Sequence, residues 1–264
     1  MINANAPTLP IVSARAVSKE FANGTRALAA VDLDLVRGEF VALLGPSGCG
    51  KSTLLRMIAG LIQPTGGEIV WPGEAARSPV AAARAHGLGF VFQEPTLMPW
   101  ARAVDNVAMP LVLGGAGKSD ARERAADMLD RVGLGGFVDS YPRELSGGMK
   151  MRVSLARALV TEPRILLMDE PFAALDEITR HKLNDDLLAL WGRQRFTVLF
   201  VTHSVFESVY LAERIVIMAA RPGRVFAIER IEPGVHRDVL YRTSPEYARL
   251  TRFVSARMAE AIAA

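Results

Sequence analysis

Five short apolar runs punctuate the chain and constrain its fold more than any other feature. They are Phe40-Val41-Ala42-Leu43-Leu44, Gly89-Phe90-Val91-Phe92, Ile165-Leu166-Leu167-Met168, Thr197-Val198-Leu199-Phe200-Val201 and Arg214-Ile215-Val216-Ile217-Met218. Runs of this kind have no polar face to offer water, so they read as strands buried on both sides, as in a parallel sheet. Helical patterns lie between them. Lys51 to Ile62 is rich in Leu, Met and Ile and stops at Pro64 and Gly66. Ala125, Met128, Leu129 and Val132 recur on one helical face before Gly133, and Asp176 to Gly192 reads as another helix. The alternation predicts an α/β fold with a mostly parallel central sheet. Two regions depart from it. Ile11-Val12 and Val31-Asp32-Leu33-Asp34-Leu35 alternate in polarity and predict an antiparallel β layer, and the span from about 93 to 160 predicts a helical insertion. Val225 to Ile231 reads as an edge strand, and the chain from Ser244 onward as helix.

Half of the 264 residues are hydrophobic and 22% are charged, which excludes a disordered tail or a disulfide-stapled miniprotein. The net charge of +3 is too small to build a strong nucleic-acid field. Cys49 is the single cysteine, so no internal disulfide can form and a reducing compartment suits the chain. Met1 to Pro10 has no basic cluster followed by an apolar run, so no secretory signal is expected. No stretch approaches the roughly 18 apolar residues of a membrane span, so any membrane role is expected to come through a partner.

Chemistry concentrates where the apolar runs end. Gly45-Pro46-Ser47-Gly48-Cys49-Gly50-Lys51-Ser52, with Thr53 after it, fits G-x-x-x-x-G-K-[ST] between a buried strand and an apolar helix. Glycines let such a loop turn its N–H groups toward phosphate oxygens, and the helix N-terminus adds partial positive charge. Lys51 supplies an ammonium for the β- and γ-phosphates, Ser52 a hydroxyl for Mg²⁺, and Thr53 a further phosphate contact. Cys49 reads as a small loop side chain turned away from the phosphates. The run ending at Met168 continues into Asp169 and Glu170. Burying carboxylates is costly unless a cation or a reaction needs them. Asp169 is therefore expected to hold Mg²⁺, and Glu170 to polarise the attacking water. Gln93 and His203 close two further runs, and ligands of open α/β sheets bind at the carboxyl ends of strands. Gln93 can orient water or complete the Mg²⁺ shell; His203 can hydrogen-bond a γ-phosphate, although such a histidine can equally serve packing. Leu145-Ser146-Gly147-Gly148-Met149 opens a long helix, either as a second anion site or as an ordinary serine N-cap.

The ordered set GPSGCGKST, FQE, LSGGM, LLMDEP, ALD and TH closely resembles the nucleotide-binding subunits of ABC transporters, over roughly residues 11 to 230. The resemblance implies a single nucleotide-binding domain over 1–264. Its P-loop NTPase core spans about 1–92 and 161–230, its helical subdomain about 93–160, and a C-terminal helical extension about 236–264. It implies ATP and Mg²⁺, and a homodimer in which Ser146, Gly147 and Gly148 of one copy face the γ-phosphate held by the other. Asp176 matches the loop that communicates across that dimer, and Phe21 the aromatic that stacks on adenine, where a plain apolar contact is the alternative. Phe92-Gln93-Glu94-Pro95, Leu97-Met98-Pro99-Trp100 and the MAARPG segment from Met218 to Gly223 look like the nitrate/sulfonate/taurine importer group, with some pyrimidine or thiamine-precursor importers sharing the pattern. Met151 and Ser204 depart from that group's usual Gln and Asp without removing a phosphate or metal ligand.

Leu97, Met98 and Trp100 place apolar bulk in an expected surface loop with two prolines, Pro95 and Pro99, which reads as a docking patch or as a piece of the insertion's own core. The resemblance supplies the docking partner, an integral membrane permease, with a separate periplasmic or extracellular solute-binding protein and a location on the cytoplasmic face of the membrane. A soluble ABC-type ATPase acting on nucleic acid or ribosomes is the alternative. The DNA-repair members carry long coiled coils before the signature, and no sustained heptads occur here. A GTPase or small-molecule kinase would leave Ser146 to Met149 unexplained.

Overall fold

Burial follows four of the five apolar runs residue by residue; in the run over 89–92, Phe90 and Phe92 are only half-covered, so that run, against expectation, is not buried on both faces. The computed structural model describes residues 9–72, 87–231, 237–238 and 240–264; residues 1–8, which bear most of the expectation about a secretory signal, lie outside them. In chain order the elements are β1 (Pro10–Glu20), β2 (Arg26–Val36), β3 (Phe40–Leu44), α1 (Lys51–Ile58), β4 (Gly66–Val70), β5 (Leu88–Val91), α2 (Ala103–Leu113), α3 (Lys118–Arg131), α4 (Gly147–Leu159), β6 (Ile165–Asp169), α5 (Glu177–Gln194), β7 (Thr197–Thr202), α6 (Val205–Leu211), β8 (Arg214–Ala219), β9 (Arg224–Arg230) and α7 (Pro245–Ala263). Every residue of β3, β6, β7 and β8 is buried. The chain divides into two units, residues 1–85 with 195–264, and residues 86–194.

In the first unit β3 runs parallel to β7 on one side and to β8 on the other, and β9 joins β8 antiparallel. The expected antiparallel layer is present, with β1 between β2 and β4. The sequence gives no hint of β4, because Gly66-Gly67-Glu68-Ile69-Val70 is only partly covered and lacks an apolar run. Helix α1 ends at Ile58 rather than near Ile62, because Gly60 takes a left-handed φ of 71° and closes the turn. Arg214 joins three segments: its guanidinium donates to both Glu39 carboxylate oxygens at 2.7 Å and to the Asp34 carbonyl at 2.6 Å.

The second unit holds β5 and β6, paired in parallel, with helices α2 to α5. Gly89 lets α4 approach β5, since a Cβ there would stand 2.8 Å from the Ala158 carbonyl. The Arg152 guanidinium on α4 pairs with Asp186 on α5. Helix α3 stops before Gly133, where the sequence pattern ends it, and Gly133 takes a left-handed φ of 76°. Among the described residues no helix is long and apolar enough to cross a membrane.

Candidate functional site

The phosphate-loop sequence forms a tight turn between β3 and α1 in the first unit. Gly50 is the N-cap of α1 at φ 90°, and no side chain caps that end. Only glycine fits: a Cβ at Gly50 would stand 2.5 Å from a Leu28 methyl and 2.8 Å from the Ala27 carbonyl. Gly45 is equally enclosed, 2.7 Å from the Cys49 Sγ and 2.9 Å from the Met218 carbonyl by the same measure. Lys51 is only 4% exposed, and its Nζ donates to the carbonyls of Gly45 at 2.8 Å and Pro46 at 2.9 Å. The ammonium is thus held inside the loop by acceptors that a phosphate oxygen can replace. Ser52 and Thr53 are half-buried in the first turn of α1. Ser47 and Gly48 are exposed at the crest of the loop. Cys49 is fully buried, and burial pushes its thiol up in spite of the nearby Lys51 ammonium, so it is a packing residue rather than a reactive thiolate.

His203 leaves β7 at the same sheet end as this loop. Leu44 of β3 pairs with Thr202 of β7, so Gly45 and His203 are the next residues of adjacent parallel strands. Ser204 begins α6, and its Oγ accepts the Glu207 N–H at 3.3 Å. The departure from Asp at this position therefore keeps an N-cap. Phe21 sits at the β1–β2 turn, where its N–H donates to the Thr25 carbonyl at 3.0 Å; its ring is exposed and the Lys19 ammonium lies 5.6 Å from the ring centre.

The second unit carries the acids and the serine-glycine segment. Val91 of β5 pairs with Met168 of β6, so Gln93 and the Asp169-Glu170 pair leave their strands at one end. Asp169 is 5% exposed and Gln93 is exposed. Glu170 takes a positive φ of 44°. A non-glycine residue held there costs of order 1–3 kcal/mol, a strain that clusters at functional sites. Ser146 is the exposed N-cap of α4, with its Oγ accepting the Met149 N–H at 3.3 Å. Gly147 is exposed, whereas Gly148 is buried, and a Cβ on it would stand 2.5 Å from a Thr179 methyl. Met151 is buried in the body of α4. The exposed Asp176 accepts the Thr179 N–H at 2.9 Å, and Thr179's N–H and hydroxyl hold its carboxyl below the usual carboxylate range.

Side chains without a motif signature fix these segments. Arg157 on α4 donates to the Pro95 carbonyl at 2.8 Å and to the Thr96 carbonyl at 2.9 Å, tying α4 to the loop after Gln93. Asn106, fully buried on α2, accepts the Met98 N–H at 2.7 Å and donates to the Ala101 and Arg102 carbonyls at 3.1 Å. The Leu97–Trp100 loop is folded around that amide, leaving Leu97 and Met98 half-covered and Trp100 76% exposed. Arg180 donates to the Leu175 carbonyl at 2.6 Å, just before Asp176.

The donors expected for Mg²⁺ are Ser52, Gln93 and Asp169, a hydroxyl, an amide and a buried carboxylate. Each is a hard oxygen donor of the kind Mg²⁺ takes, Ser52 in the first unit and Gln93 and Asp169 in the second. Among the described residues no cluster of His, Cys, Asp and Glu offers an all-protein metal cage.

Residues 28–173 match the family model described as ABC transporter. An uncharacterised ABC transporter ATP-binding protein of Methanocaldococcus jannaschii is 48% identical over 85% of this chain and 81% of its own length. An aliphatic sulfonates import ATP-binding protein of Bacillus cereus is 44% identical over 82% of this chain and 84% of its own. Among solved structures, the ATP-binding cassette MJ0796, dimeric and bound to ADP and Pi after hydrolysis, aligns with a TM-score of 0.74 at 35% identity, over 84% of this chain and 100% of that one.

Proposed function

Because the chain belongs to the ABC transporter family, we propose that it is the ATP-hydrolysing subunit of an importer and works as a pair of copies beneath a membrane permease. The observation that carries the reading is the buried Lys51 ammonium inside a glycine-shaped loop at the head of α1. ATP binding exchanges the Gly45 and Pro46 carbonyls for β- and γ-phosphate oxygens on Nζ. The N–H groups of the loop and the α1 terminus receive the remaining phosphate charge. Phe21 stacks on the adenine.

Hydrolysis is phosphoryl transfer to water, in which positioning and charge do the catalysis. Glu170 accepts a proton from the water as its oxygen bonds to the γ-phosphorus, while the bond from that phosphorus to the β–γ bridging oxygen breaks. ADP leaves with that electron pair, stabilised by Lys51. Gln93 orients the water and His203 hydrogen-bonds the γ-phosphate. Ser52, Gln93 and Asp169 would hold Mg²⁺, which when bound neutralises charge on the β- and γ-phosphates. Ser146, Gly147 and Gly148 of a second copy cover the γ-phosphate, so ATP favours the closed pair and its loss favours the open one.

Closure reaches the permease through Leu97, Met98 and Trp100, on the cytoplasmic face of the membrane. The similarity to a sulfonate import protein supports a small-solute importer of the nitrate/sulfonate/taurine or pyrimidine/thiamine-precursor type, with the solute selected by the permease and a separate binding protein. Affinity capture of the tagged chain from detergent-solubilised membranes tests this. An integral membrane protein should co-purify, and Trp100→Glu should lose it. Capture of ribosomes or DNA with no membrane subunit would contradict the reading.

A further inference from the structure

His203 stands one residue before the N-cap of α6, so the attitude of that helix sets where the imidazole points. A helix of seven residues cannot hold itself, and its position must come from tertiary ties. At the near end the Ser204 N–H donates to Thr202 Oγ1 at 3.0 Å, and the Thr202 hydroxyl donates to the Glu207 carboxylate. Beyond the packing of α6 on β3 and β7, further ties come from Arg237 and residues 240–264, to which no motif assigns a role. Arg237 donates from Nη1 to the Leu211 carbonyl and from Nη2 to the Ala212 carbonyl, each at 2.8 Å, filling acceptors that a helix end leaves open. Tyr247 on α7 donates its hydroxyl to the Phe206 carbonyl at 2.9 Å. Tyr241 packs edge-on against Tyr247 at 5.2 Å, and the Arg242 guanidinium lies over the Tyr210 ring at 3.6 Å. Burial pushes the Tyr247 hydroxyl up to about 12, so it remains a donor throughout the working pH range, and burial likewise lowers the Arg237 guanidinium. Both groups give up water for these carbonyls.

We propose that the C-terminal segment is a positioning brace for His203, in which Arg237 and Tyr247 grip α6 by its carbonyls and so fix the imidazole relative to the β7 end. The inference rests on the reading of His203 as the group that meets the γ-phosphate. Arg237 and Tyr247 touch no nucleotide and act only through α6.

The test is single-turnover and steady-state ATP hydrolysis by the full chain carrying Tyr247→Phe, Arg237→Lys, His203→Ala and the double variants with His203→Ala. Tyr247→Phe removes one oxygen and keeps the ring packing, so it separates the hydrogen bond from folding. Tyr247→Phe and Arg237→Lys should each lower kcat several-fold at unchanged KM for ATP. On the His203→Ala background neither should lower it further. Unchanged kcat in both single variants, with His203→Ala slowed, would overturn the brace alone, as would an equal further loss in single-turnover hydrolysis on the His203→Ala background. Full activity of His203→Ala would overturn the reading of His203 and the brace with it.

Discussion

The two units hold the side chains proposed to act by different means. In the first, the phosphate loop is shaped by backbone: Gly45 and Gly50 fit only because they lack a Cβ, and Lys51 is buried among carbonyls of its own loop. In the second, Gln93, Ser146, Asp176 and Trp100 are all exposed, yet the segments carrying them are pinned from behind by Arg157, Asn106 and Arg180. The helix starts show the same contrast. The head of α1 has no side-chain cap, while the head of α4 is capped by its own Ser146. A pocket for a small anion is best preformed and enclosed; a surface that must meet another protein is best exposed and stiff.

The largest expected effects separate turnover from binding. Glu170→Gln should slow hydrolysis by about 10²- to 10⁴-fold with ATP still bound, measured as phosphate release beside equilibrium nucleotide binding. Lys51→Ala should lose nucleotide binding by the single chain and slow turnover by about 10²- to 10³-fold, whereas Ser146→Ala should leave single-chain binding intact. Equal loss of single-chain ATP affinity in both variants would erase the contrast between the units.

Stability effects sharpen it further. Gly50→Ala forces a Cβ into Leu28 and Ala27 at a left-handed φ and should cost about 1–3 kcal/mol in denaturant unfolding. Gly147→Ala meets only a Leu175 methyl at 3.5 Å and should change stability by less than about 0.5 kcal/mol. Asn106→Ala should cost about 1–3 kcal/mol, because it empties a buried amide site and strands the part-buried Met98 N–H and Ala101 carbonyl in the loop before α2. Trp100→Glu, at the tip of that loop, should fall within about 0.5 kcal/mol of the parent and spare basal hydrolysis.

What the sequence revealed follows burial and residue type rather than the boundary between the units. Strands β3, β6, β7 and β8 were legible because burial on both faces leaves a continuous apolar run, and the glycines at 45 and 50 because a preformed loop needs particular residue types in a fixed order. Strand β4 was not legible, since a half-covered Gly-Gly-Glu segment owes its pairing to β1 rather than to its own pattern. Nor were Arg157, Asn106, Arg237 and Tyr247. Each acts on backbone carbonyls or N–H groups, which every residue possesses, and Arg157 reaches a partner 61 residues away. Ties of that kind leave no periodicity and no spacing to read.

The account turns on an ATP molecule held by one copy and closed over by another. Sedimentation of the Glu170→Gln chain with and without ATP tests that most directly. Saturating ATP should double the mass, and adding Ser146→Glu should abolish the doubling while single-chain ATP binding persists. A chain that stays monomeric at saturating ATP, or one that loses nucleotide when Ser146 alone is changed, would contradict it.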